Sequence, residues 1–113
     1  MPSYVERMIE GLAAVLARIA ARRKSGKLDD AEAELAETFR RIAGVIPELL
    51  DAVGAEAVAA QLTNPEQVLA LSDLCSERAE IEAVRGDTAG AERWRRHAEV
   101  LRGRVGRSET GAS

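Results

Sequence analysis

Between Tyr4 and Lys24 the apolar residues fall at Val5, Met8, Ile9, Leu12, Val15, Leu16 and Ile19. Steps of three and four put them on one face of a helix, which turns once every ~3.6 residues. Ser3 precedes Glu6 by the spacing of an N-terminal capping box, and Ser25-Gly26 supplies a stop. A second stripe, Leu28, Ala31, Leu35, Thr38, Phe39 and Ile42, predicts a helix that starts at Asp29 or Asp30, whose side chains suit a cap, and ends near Gly44. The connection is so short that the two helices must form an antiparallel hairpin.

The segment Val45 to Leu62 is less regular. Pro47 suits a first helical turn, Gly54 is a break, and the short apolar runs at Leu49-Leu50 and Ala57 to Ala60 read as two short helices. Asn64-Pro65-Glu66 marks another start, with Asn64 as cap and Pro65 where a missing N–H is no loss. That helix runs to about Arg85. Its apolar face (Val68, Leu69, Leu71, Leu74, Cys75, Ile81, Val84) is broad enough to predict neighbours on two sides. Gly86-Asp87 ends it, Thr88 or Asp87 caps the next helix, and the final stripe is Ala91, Trp94, Ala98, Leu101 and Val105. Gly106 to Ser113 is small and polar, and is expected to be a disordered tail because it buries too little to offset its ordering entropy. The pattern predicts an all-α fold of antiparallel hairpins with about five to six helices, a single domain over 1–105 and a tail over 106–113.

Composition supports this reading. Aromatics make up only 3% of the 113 residues and there are three prolines, a helical composition rather than that of a β-sandwich or barrel. A lone Cys leaves no partner for an intrachain disulfide, and one His beside it offers little for a soft-metal site. The apolar run Gly11 to Ala17 is bounded by Glu10 and Arg18, well short of the ~20 residues that span a bilayer. Basic residues follow that run instead of preceding it as in a signal peptide, so no membrane association and a cytoplasmic location are expected.

The net charge of -3 hides a segregation. Residues 1–28 carry +4, residues 29–82 carry -10 and residues 83–113 carry +3. Two basic ends flank an acidic middle. Part of this is helix chemistry, because acids near a helix N-terminus and bases near its C-terminus favour the macrodipole. The rest predicts that ends and middle face one another, within one chain or between two copies.

Gly26-Lys27-Leu28-Asp29-Asp30-Ala31-Glu32 and Gly86-Asp87-Thr88-Ala89-Gly90-Ala91-Glu92 match at an offset of 60 residues. In each, Gly ends a long helix and Ala follows five positions later, where its small side chain lets two antiparallel helices approach closely. The spacing resembles the tetratricopeptide repeat. With Tyr4 to Glu10 and Glu80-Ile81-Glu82, the chain looks like a family of small bacterial proteins with tetratricopeptide-like hairpins, covering residues 4 to about 105. The resemblance implies a fold and brings neither activity nor catalytic residues.

Candidate chemistry is sparse. His97 lies among Arg93, Arg95 and Arg96 without a His, Cys or Ser at helical spacing, and reads as a surface or interface residue. Cys75 reads as a small buried hydrophobe. Asp73, Glu77 and Glu80 share a helical face of the kind that holds a hard cation, yet the Glu-x-x-His pairs of di-iron bundles are missing, and a solvated or salt-bridged face fits better. Isolated glycines make no phosphate loop, so no cofactor is expected. The strongest lead is the basic last helix, Arg93, Arg95, Arg96, Arg102, Arg104 and Arg107, with Trp94 as an anchor were it exposed. Interspersed acids and the acidic middle disfavour nucleic acid and favour an acidic protein surface, a second copy included. The expected function is a non-enzymatic module that binds protein or peptide and self-associates, with Trp94, Arg93, Arg95, Arg96 and Arg102 at the interface. The alternatives are a small metal-dependent enzyme using the acidic face of the 65–85 helix, or nucleic-acid binding through the last helix.

Overall fold

Glycine-terminated turns divide the chain into helices. The structure, a computed structural model, describes residues 4–111. It holds α1 (Tyr4–Glu10), α2 (Leu12–Lys24), α3 (Leu28–Ala43), α4 (Pro47–Val53), α5 (Ala55–Ala60), α6 (Pro65–Val84) and α7 (Thr88–Gly111), with no strand among the described residues. The fold is all-α, as the hydrophobic periodicity predicts. The two hairpins α2–α3 and α6–α7 turn on the same chemistry. Gly26 and Gly86 take φ of 80° and 85°, the left-handed region where a Cβ is costly. Gly26 N–H donates to Arg23 O and Lys27 N–H to Arg22 O; Gly86 N–H donates to Ala83 O and Asp87 N–H to Glu82 O. Both are Schellman closures, so the sixty-residue offset is a repeat of backbone geometry as well as of residue type. Ala31 and Ala91 are fully buried in the first turns that follow.

α6 is the central helix. It lies against α2 and α3 on one side and against α7 along its length on the other. Small buried side chains, Ser72, Cys75 and Ala79 on α6 and Ala91 and Ala98 on α7, serve this close pair, and the Ser72 hydroxyl donates to the Ala98 carbonyl oxygen at 3.1 Å. Trp94 of α7 reaches Phe39 of α3 edge to face, with centroids 6.2 Å apart. α4 and α5 meet at Gly54 and bury Leu50, Ala55, Val58 and Ala59. The molecule measures 44 × 34 × 21 Å, its short dimension being two helix diameters of about 10 Å each.

The stripes of α3 and α7 are buried as predicted, with Ala31, Leu35, Thr38, Phe39 and Ile42 on one and Ala91, Trp94, Ala98, Leu101 and Val105 on the other, except that Leu28 at the start of α3 is only half-buried. Several boundaries differ. The predicted first helix is interrupted at Gly11, where Gly11 N–H to Arg7 O and Val15 N–H to Gly11 O stand at 3.2 and 3.3 Å; glycine is a weak helix former. α3 begins at Leu28, before either aspartate, and its N-cap residue Lys27 makes no side-chain cap. Asp29 and Asp30 sit instead in the first turn, where they favour the helix dipole. On α6 the Asn64 side chain accepts the Glu66 N–H at 2.8 Å, as its sequence suggests. Asp87, not Thr88, caps α7 by accepting the Gly90 N–H at 2.9 Å. Leu69 and Val84, read as part of the buried face of α6, are exposed. α7 continues to Gly111, into the segment read as a tail, because extending a nucleated helix costs little per residue. The proposed Ser3 cap lies outside the described residues.

Candidate functional site

The charge segregation is resolved inside the chain. From the basic N-terminal part, Arg18 and Arg22 both bind Glu34, and Arg23 binds Glu77 at 2.8 Å. From the basic C-terminal part, Arg85 reaches Asp29 and Glu32 at 3.0 and 2.9 Å, Arg93 reaches Asp51 at 2.8 Å and Arg104 reaches Glu56 at 2.8 Å. Arg78 of α6 bridges Glu32 and Glu82 at 2.8 and 3.0 Å and places its guanidinium 5.2 Å from the Trp94 ring centroid. These contacts tie one helix to another across the molecule. They also commit Arg93 and Arg104, two of the arginines that the sequence offers to a partner.

The predicted interface residues are accordingly dispersed. Trp94 is buried at 2% exposure and serves the core, since its stripe faces α3 and α6. Arg93 is held by Asp51, and Arg102 makes only long contacts, 3.4 Å to Asp73 and 3.5 Å to Ser76. Arg95 and Arg96 are exposed and make no ion pair among the described residues. The basic face of α7 is therefore interrupted: Glu92 and Glu99 bracket Arg95 and Arg96, and the four carry no apolar strip.

His97 has a partner that helical spacing does not reveal. Its Nε2 lies 2.9 Å from Asp51 Oδ1, and the Trp94 ring stands edge to face against it at 5.2 Å. Asp51 comes from α4, 46 residues away in sequence. Burial works to raise the Asp51 carboxyl, but hydrogen bonds from Arg93 and His97 outweigh it and hold the group below its ordinary range. The signal in the sequence is the Arg93/His97 pair, four apart on one helical face and aimed at one anion. Cys75 is fully buried, and its thiol is pushed up to about 12 by burial and then by the charge of Asp51, the reverse of activation. The carboxylates of the metal reading are engaged elsewhere, Glu77 by Arg23 and Asp73 loosely by Arg102, while Glu80 stands exposed.

The concave feature with the most coherent chemistry is a groove between the α1–α2 arm and α6. Its volume is about 310 Å³, near the lower limit of ligand-sized clefts. Ile9, Leu12, Ala13 and Leu16 form one wall and Leu69 and Ala70 the other, and the charged residues that line it, Glu66 and Asp73, are both carboxylates. It follows from the breadth of the apolar face of α6: after α7 and α3 have covered that face, Leu69 is left at 41% exposure. Sequence reasoning missed the groove because the same residues read as ordinary core stripe. A second apolar hollow, under Val45, Leu49 and Val53 of the α4–α5 arm, is about half the size at 160 Å³. A wider hollow of about 490 Å³ over the first turn is lined by Lys27, Asp29, Asp30 and Arg85, charges of both signs.

Compared with known protein families, with curated proteins and with solved structures, the chain matches none. The groove is therefore read from its own residues. No helix among the described residues is long and apolar enough to cross a membrane.

Proposed function

We propose that the chain is a non-enzymatic helical module that holds an apolar segment of a protein or peptide partner in the groove between α2 and α6. The observation that carries this reading is Leu69. A large aliphatic side chain at 41% exposure opens onto Ile9, Leu12 and Leu16, so a partner removes from water an apolar strip that this fold leaves open. The tetratricopeptide resemblance supports it, because two hairpins closed by the same turn are the unit from which concave helical surfaces are built. A metal-dependent reaction on α6 draws less support, since Glu77 and Glu82 are already held by arginines. Nucleic-acid binding through α7 meets the same difficulty, with Arg93 and Arg104 already paired to Asp51 and Glu56.

The test is co-purification with the wild-type chain, with Leu69→Glu, and with Leu49→Gln as a control at the second hollow. Leu69 is exposed, so its substitution leaves the far-UV circular dichroism unchanged. Proteins retained by the wild type and by the control, and lost from Leu69→Glu, are the expected result. Identical partners on all three chains contradict the reading.

A further inference from the structure

Resting on that reading of the groove, we infer that its occupant is a basic amphipathic helix, with two cations about two turns apart flanking an apolar strip. Glu66 and Asp73 stand seven residues apart on α6, a rise of about 10 Å along the helix. Between them on the same helix lie Leu69 and Ala70. The carboxylates thus mark both ends of the apolar strip. Glu66 is exposed and makes no ion pair among the described residues. Asp73 is half exposed, and its one ion pair among the described residues is the 3.4 Å contact with Arg102, long for a charged hydrogen bond.

Apart from Arg102 at the Asp73 end, the cations of α2 that pair with other helices are turned away from this wall. Arg18 and Arg22 of α2 point to Glu34 of α3, and Arg23 is clamped to Glu77. The groove therefore has an apolar floor with negative ends, and the complement is positive ends on an apolar stripe. Lys or Arg suits those positions, because its aliphatic stem covers Leu69 and Leu16 while its head reaches a carboxylate. A groove about two turns long matches anchors at i, i+3 or i+4, and i+7 of a docked helix. Phosphate-bearing partners are disfavoured by the same carboxylates. A second copy is a poor occupant: Glu92 and Glu99 bracket Arg95 and Arg96 on its outward α7 face without an apolar stripe, and its exposed Leu49 and Val53 on α4 are accompanied by Glu48 and Asp51 instead of cations.

The probe is a synthetic helical peptide of about 18 residues, long enough to form a helix in water. It carries Leu and Ala on one face and Arg at two positions seven apart flanking that face. A second peptide carries Glu at those two positions. Fluorescence anisotropy at low and high salt should show the Arg peptide binding about five- to tenfold more tightly at low salt, with the advantage shrinking as salt screens the pairs. The double variant Glu66→Gln/Asp73→Asn should bind the two peptides equally. Equal affinity of the two peptides for the wild type, or a preference that survives the double variant, overturns the charge assignment. If, in that event, Ala13→Arg still abolishes binding, the groove itself stands. Binding by neither peptide, or binding untouched by Ala13→Arg, overturns both.

Discussion

The Asp87 carboxylate accepts the Gly90 N–H at 2.9 Å, and a Cβ on Gly90 would overlap that carboxylate. Alanine at 90 gains helix propensity of about 1 kcal/mol and displaces a cap of about the same value. Gly90→Ala should therefore change stability little in the wild type, yet stabilise by about 1 kcal/mol once Asp87→Ala has removed the cap. Urea titration of the four chains measures the coupling, and equal effects in both backgrounds contradict it. Asp51 gives a second residue-scale expectation. Its folded pKa lies below the unfolded one, so the carboxylate contributes stability that is present above the ordinary carboxylate range and is lost as pH falls through the lower folded value. Asp51→Asn should flatten the acid limb of the stability curve below about pH 4. An acid limb identical to that of the wild type contradicts this. Cys75, with its thiol at about 12, should resist thiol reagents at pH 8 until the chain unfolds; alkylation at the rate of a free peptide would place it at the surface.

At the scale of elements, the arginine at position 78 joins α6 to α3 and stacks on the Trp94 ring. Arg78→Met should cost roughly 2–3 kcal/mol, less than the loss of a fully buried partner. The reason is that Arg85 still reaches Glu32 at 2.9 Å and Glu82 at 3.6 Å. A change below about 0.5 kcal/mol, the scatter of surface substitutions, would show the network to be decorative. The helices differ in how far the sequence discloses them. α3 and α7 bury a single face each, so their stripes are legible residue by residue. α6 is covered on two sides and open on a third, so periodicity identifies the helix but not which leucine stays exposed; Leu69 and Val84 are the cost of that ambiguity. The break at Gly11 falls inside one continuous apolar stripe, and the Asp51–His97 contact depends on how α4 sits beside α7. Neither is visible in a pattern of three and four.

Across the whole molecule, the net charge of -3 is what remains of pairing, within one chain, between basic ends and an acidic middle. The pairing is internal, which removes the electrostatic reason for a second copy, and a monomer in light scattering at low and high salt is the expected outcome. The apolar surface left open lies in the groove of α1, α2 and α6, bordered by Glu66 and Asp73, and in the smaller hollow on α4 and α5. The proposed function turns on which of these a partner occupies. Titrating the isotopically labelled chain with the Arg-bearing helical peptide and following amide chemical shifts measures this directly. The account predicts that shifts concentrate at Leu12, Ala13, Leu16, Leu69, Ala70 and Asp73; shifts concentrated at Val45, Leu49 and Val53, with the groove amides unmoved, contradict it.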